Sequence, residues 1–332
     1  METAGIQHVF FQKIKESMPP HLSFVDDIAE LLGISNDSVY RRIRGEKPIS
    51  MEEVGKICSH YRISMDQFLN IQTDAFTFKG LLNDQTENSF DAYLEQVKNI
   101  FQMFITYKDR YLSILNKDIS PFVHFQVPEL ALFKFYFWMK SILHYETMKG
   151  VKFDIDDDRL IKYLPISNNI IELYHTVNMT EIWNLESVNS SIRQINFYYE
   201  AGLIKDKATT RLLYEKLEGL INHIEYQAET GLKFGIGKTP SGNSSKYRLF
   251  VNELILGDNT YMAELNGSRM VFLNHSVLYF VATSDEKFTK AIADNLHNLE
   301  KKSTMISTVG EKERVLFFNA IRKKIQYRKE LL

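Results

Sequence analysis

Residues 25–45, VDDIAELLGISNDSVYRRIRG, decide how the amino-terminal part of this chain folds. The stretch divides into two short amphipathic runs with a tight turn between them. Ala29 is small enough to let two helices cross, and Gly33, four positions on, permits the positive φ that the turn needs. Val39, ten positions after Ala29, plugs the shared core from the second run. This spacing predicts a helix-turn-helix, in which the second helix is the one that enters a DNA groove.

Working outward, Ser23 is placed to cap the first helix, whose Val25, Ile28, Ala29 and Leu32 form the inner stripe and leave Asp26, Asp27 and Glu30 wet. Ser35 caps the second, with Val39 and Ile43 inside and Asn36, Asp37, Tyr40, Arg41 and Arg44 outside. Pro48 closes the next turn, and Ser50 with Glu53 forms a capping box before Val54, Ile57 and Tyr61. Ser64 with Gln67 repeats the device ahead of Phe68 and Leu69. The expected unit is a bundle of about five short helices spanning residues 1–70.

Residues 23–69 resemble the Cro/C1 class of helix-turn-helix, the lambda-repressor-like DNA-binding domain. The resemblance rests on Ala29, Gly33, Val39 and Gly45, followed by KPISMEEVGKICSHYRISMDQFL, which is similar to that family's fourth and fifth helices. Where the family often opens its second helix with a phosphate-clamping glutamine, this chain has Val25. Where it often carries Leu or Trp before the position of Ile43, this chain has Arg42, which shifts the core contact to Ile43 and frees the arginine. Arg62 replaces a usual glycine. The resemblance implies that Ser35, Asn36, Asp37 and Ser38 face base edges, with Tyr40, Arg41 and Arg42 behind them. Asn suits adenine, Arg suits guanine and an acid accepts from cytosine; Asp37 equally complements the helix dipole. Arg44 and Lys47, in the following turn, suit phosphates. So small a bundle reads one half-site, which implies a homodimer on double-stranded DNA.

Bulk electrostatics do not mark a nucleic-acid binder: the formal net charge is −2. Residues 1–70 hold eight Lys or Arg against ten Asp or Glu, and only the edge from Arg41 to Lys47 is basic. A compact patch of this kind steers a polyanion at short range, since beyond about 8–10 Å salt screens it.

The 332 residues, 44% hydrophobic and 13% aromatic, leave ample material for a second, larger core. Cys58 stands alone and builds neither a disulfide framework nor a Cys-based zinc site, so a reducing compartment is expected. The start METAGIQHVFFQKIKES lacks a signal-peptide pattern, and the apolar run around Phe137 is broken by Lys134 and Lys140, short of the roughly 20 residues that span a bilayer. A cytoplasmic protein without a membrane partner is expected.

Residues 71–88 read as a linker and 89–245 as a mainly helical regulatory or oligomerisation domain. Helical spacing runs from Phe90 to Phe104, after Pro128, and over 157–164, 167–178, 180–202 and 207–230; RYLSIL and FVHFQV are candidate extended pieces. From Lys246 the period changes, and four strands are expected in a short antiparallel meander, with Asn266-Gly267 as the clearest hairpin cue. Two helices close this α+β subdomain, residues 246–332, and the basic residues of the last one read as a solvated face. The fold class is therefore mainly α with a carboxy-terminal α+β part.

Catalytic signatures fail on inspection. GLKFGIGKT, residues 231–239, ends like a P-loop, but Leu232 occupies the first glycine's place and a helix precedes it where a strand belongs. Asp154, Asp156 and Asp158 open like a calcium loop, but Arg159 replaces the required glycine. Ser284 and Lys287 lack the partner signatures of a serine acyl-enzyme. No histidine pair has metal-ligand spacing. The expected protein is a DNA-binding transcription regulator without cofactor, metal or enzymatic activity, whose larger region senses a small molecule or peptide or provides dimerisation. The alternative is an enzyme or partner-binding protein carrying a DNA-binding head, with its chemistry in residues 89–332.

Overall fold

The computed structural model describes residues 5–16, 23–61, 65, 76–80, 89–254 and 257–332. The chain divides into two compact units, Met1–Thr77 and Phe78–Leu332. The predicted Ser64–Gln67 box, Phe68, Leu69, Arg62 and most of the linker lie outside the described residues.

The smaller unit contains α1 (Ile6–Glu16), α2 (Phe24–Leu32), α3 (Asn36–Ile43) and α4 (Met51–Tyr61). Its core joins Phe10, Phe11 and Ile14 of α1 to Ile28, Val39, Val54 and Ile57. Gly33 ends α2 at φ +64°; the next amide, Ile34 N–H, reaches back to Ala29 O at 3.0 Å, the six-to-one bond of a left-handed helix cap. Val39 is fully buried and Ala29 nearly so, as the spacing requires.

The larger unit runs β1 (Lys79–Gly80), α5 (Ser89–Ile105), β2 (Arg110–Leu115), α6 (Pro121–His124), α7 (Pro128–Phe137, continued by a π turn over Trp138–Ile142), α8 (Asp158–Ile161), α9 (Leu164–Tyr174) and β3 (Asn178–Trp183). It continues with α10 (Asn189–Glu200), α11 (Lys207–Thr230), β4 (Leu232–Lys233), β5 (Ser245–Val251), β6 (Thr260–Leu265), β7 (Ser268–Asn274), β8 (Phe280–Thr283), α12 (Glu286–Lys301), β9 (Thr304–Met305) and α13 (Glu311–Glu330).

Here the expected short meander gives way to a mixed nine-stranded sheet of order β1-β8-β7-β6-β2-β3-β5-β4, with β9 on β5. β2, β3 and β5 are parallel neighbours, and β6 pairs antiparallel with β2. Residues 89–245 and 246–332 therefore share one sheet, and the boundary expected at 245/246 has no counterpart. NMTEIW, residues 178–183, with its last four residues expected to open a helix over 180–202, is instead the central strand β3. Glu181 in its middle breaks the apolar run that would have marked it. FVHFQV is a short helix and turn. Asn266 and Gly267, both at positive φ, make the two-residue hairpin between β6 and β7.

Strand alternation sorts the sheet into two faces. Leu112 and Ile114, Met179 and Trp183, Leu249 and Tyr247, and Ala263 point into the large core under the helical layer. Leu115, Ile182, Phe250, Met262 and Val271 point the other way, onto α12 through Leu296 and Ile292. In the large core Phe317, Phe318, Ile321 and Ile325 of α13 join the buried residues of α11. The basic residues of α13 are only in part a solvated face: Lys312 and Lys323 are exposed, but Arg314 is buried on the carbonyls of Ile306 and Val309, Arg322 meets Glu225 at 2.5 Å and Lys329 meets Glu218 at 3.0 Å.

One buried ionic cluster sits within this core. The Glu181 carboxylate accepts from Trp183 Nε1 (2.7 Å), Tyr174 Oη (2.8 Å) and Lys233 Nζ (3.2 Å), and Lys233 lies 3.9 Å from the Tyr247 ring centroid. Its charges are matched and its hydrogen bonds made, so a polar residue in a central strand is tolerated. The glycine-rich segment that resembles a P-loop follows α11 directly: Gly231 is its left-handed cap, and β4 comes next. Asp157 caps α8 and pairs with Arg159, while Asp154 pairs with Lys205.

Candidate nucleic-acid interface

The first turn of α3 is built for presentation. Ser35 accepts from Ser38 N–H at 3.3 Å, closing the helix start, and its hydroxyl also donates to Ser38 Oγ at 3.1 Å. Asn36 donates to Asp26 Oδ1 at 2.7 Å, a bond that ties the first turn of α3 to α2; the hydrogen bonds from Ser23 and Asn36 hold the Asp26 carboxyl below its ordinary range. Ser35, Asn36, Asp37, Tyr40 and Arg41 are exposed, and Ser38 is half-buried. An exposed carboxylate and an exposed phenol thus stand on one helix beside an exposed amide that already gives one N–H to Asp26, and all three can meet base edges or sugar-phosphate.

Arg42 departs from the expectation that it is freed toward DNA. It is 4% exposed. Its guanidinium donates to Glu53 through Nε (3.1 Å) and Nη2 (2.6 Å), and to Ser38 O through Nη1 (3.0 Å). The reason lies in the capping box: Glu53 accepts from Ser50 N–H at 3.0 Å, while Ser50 Oγ accepts from Glu53 N–H at 3.2 Å. That carboxylate, fixed at the start of α4 and facing α3, draws in the arginine bidentately. The Arg42 hydrogen bonds and the Ser50 amide together hold Glu53 below its ordinary value. Arg42 is a positioning residue that locks α3 to α4.

The basic edge is more nearly balanced than its arginines suggest. Arg44 donates to Glu46 through Nε at 2.6 Å and Nη2 at 3.2 Å, and Arg41 Nε lies 3.9 Å from the same carboxylate. These three side chains are about half exposed, so water and salt screen the pairs and leave the arginines able to exchange partners. Lys47 is exposed beside them.

Two residues that hold this edge were missed from sequence. Gln7 Nε2 donates to Arg42 O and Lys47 O, each at 2.7 Å, and its Oε1 accepts from Ile49 N–H at 3.0 Å. His8 Nδ1 lies 3.1 Å from Ile43 O. Helix α1 thereby clasps the turn that carries Arg44 and Lys47. The signal was present in Phe10, Phe11 and Ile14, whose spacing marks an amphipathic helix. Val25 packs on the core of this unit.

No curated protein and no solved structure matches the chain. Residues 20–104, about a quarter of it, match the family model of the BetR domain, a helix-turn-helix-like DNA-binding domain family.

Proposed function

We propose that the chain is a sequence-specific transcription regulator of the Cro/C1 type that binds double-stranded DNA as a homodimer. α3 enters the major groove, and the larger unit serves sensing or dimerisation rather than catalysis. The observation that carries this reading is the open first turn of α3, locked from behind by the Arg42–Glu53 pair within the segment that the BetR model matches. Ser35, Asn36, Asp37 and Ser38 supply base contacts with Tyr40 and Arg41 beside them, and Arg44 and Lys47 supply phosphate contacts. Two such heads about 34 Å apart meet successive major grooves on one face of DNA.

Selection from random duplex DNA tests it. The expected outcome is a pseudo-palindromic site bound by two copies. Absence of sequence preference, or DNA affinity indifferent to removal of Arg41 and Arg44, refutes it.

A further inference from the structure

Lys134 of α7 is a buried cation with no carboxylate in ion-pair contact among the described residues; Asp118, at the rim of the same cleft, acts on it only through space. It is 7% exposed, and its Nζ donates to Gln194 Oε1 at 2.7 Å and Ser191 Oγ at 3.1 Å, two neutral acceptors on α10. It makes no ion pair with a carboxylate among the described residues, and the third ammonium proton is unspent there. The other deeply buried lysine, Lys233, has Glu181 beside it. A buried charge left unmatched costs several kcal/mol, so its retention asks for a compensating partner.

The side chain lines a cleft of about 390 Å³, within the range of small-molecule sites. The cleft opens where ligands gather in α/β sheets, beyond the carboxyl ends of parallel strands. Asp118 follows β2, and Gln194 lies on α10, the helix after β3. Trp138, in the π turn that extends α7, and Val277, between β7 and β8, give it apolar walls. The charges around it narrow the ligand. Lys117 is already bound to Asp258 at 2.7 Å. His124, in contact with Ser191 at 2.7 Å, is held neutral by burial and by the Lys134 charge. Burial draws Lys134 itself down to about 8, so it remains mostly protonated at neutral pH. Lys134 is thus the cation available to a ligand, and Asp118 at the rim opposes a second negative charge.

We infer that this cleft takes a small organic monocarboxylate, its carboxylate seated on Lys134 Nζ and the Gln194 amide, and its apolar body against Trp138 and Val277. That the ligand acts as an effector rests on the proposed regulator reading; its binding does not.

Calorimetric titration of the full chain with propionate, benzoate and phenylacetate tests the inference, with inorganic phosphate and benzamide as controls. At least one monocarboxylate is expected to bind one-to-one, with phosphate and benzamide weaker by about tenfold or more. Lys134→Met keeps the aliphatic packing and removes the charge, so it is expected to abolish binding without lowering Tm. The inference is overturned if none of the three acids binds at millimolar concentration, if benzamide or phosphate binds as well, or if Lys134→Met keeps the affinity. Should that variant fold poorly, Gln194→Leu decides: about tenfold weaker binding supports the site, and unchanged affinity overturns it. Sequence-specific DNA binding is measured without ligand, so failure there refutes the regulator and leaves the titration standing.

Discussion

Arg42→Met and Glu53→Ala separate a positioning arginine from a DNA-contacting one. Both side chains belong to one network, but the charge left behind differs. Removing Arg42 strands Glu53, whose side chain is 20% exposed and keeps the Ser50 amide bond, so water takes over part of the lost solvation. About 2 kcal/mol is expected, below the 3–5 typical of a fully buried broken pair. Removing Glu53 strands the guanidinium, only 5% exposed, and also takes away the carboxylate half of the α4 capping box, the acceptor of Ser50 N–H. About 3 kcal/mol for the pair and about 1 for the cap give roughly 4. The double variant should be less destabilised than the two losses added together, because neither charge remains stranded.

The assay is native-state hydrogen exchange on α2–α4 amides in the full chain, which reports opening of this unit by itself. DNA affinity is measured in parallel at a temperature where both variants stay folded. Under those conditions Arg42→Met is expected to leave affinity within about threefold, less than 1 kcal/mol. An Arg42→Met protein with unchanged exchange and a tenfold loss of DNA affinity would place the guanidinium at DNA and refute the network.

Glu53 also sets a pH dependence: its carboxyl is held below the ordinary 4.5, so its contribution is present above that value and lost as pH falls through the lowered one. Acid titration of the same exchange should show this loss, and Glu53→Gln should flatten it. Gly33→Ala meets no atom within 4 Å but must hold φ +64°, so about 1 kcal/mol of destabilisation is expected by denaturant titration, from backbone strain alone. Glu181→Gln leaves Lys233 buried beside a neutral amide, and the larger unit should lose about 3 kcal/mol or more; Glu181→Leu with Lys233→Met together should cost less than either single change. Arg41→Ala and Arg44→Ala should each weaken DNA binding across all sequences and flatten its salt dependence by about one phosphate contact, read from affinity against log salt.

The amino-terminal helices were legible because their signals are local. Ala29, Gly33, Val39 and the Ser50–Glu53 box each act within a few residues, and each has its expected position in the structure. Arg42 was misread because its partner arrives from the next helix, and a face computed from α3 alone cannot show Glu53 behind it. The sheet was underestimated for the same reason at larger scale. β2 and β3 pair with strands more than sixty residues later, and only long-range pairing shows that β5 and β6, adjacent in the sequence, are separated in the sheet by both of them. Glu181 made this harder, since a carboxylate in a central strand is acceptable only once Lys233, Tyr174 and Trp183 surround it.

The electrostatics of the proposed head carry a consequence for how it must work. Arg42 is spent inside the unit, and Glu46 offsets Arg41 and Arg44, so the edge from Arg41 to Lys47 offers three exposed cations, Arg41, Arg44 and Lys47. Counterion release by three phosphate contacts gives a salt slope of about −3 per head, well short of the six to ten contacts of strong single binders. Asp37, exposed in the first turn, lowers the non-specific attraction further. A head built this way binds random DNA weakly and leans on base contacts from Asn36 and Asp37. On the proposed reading, two linked heads then multiply a modest gain per half-site into useful selectivity, because the second contact is made at high effective concentration. The same balance makes the spacing of the heads, rather than their charge, the quantity through which a bound ligand can act: a shift that takes one head out of register forfeits its base contacts, and little sequence-independent attraction remains to hold it.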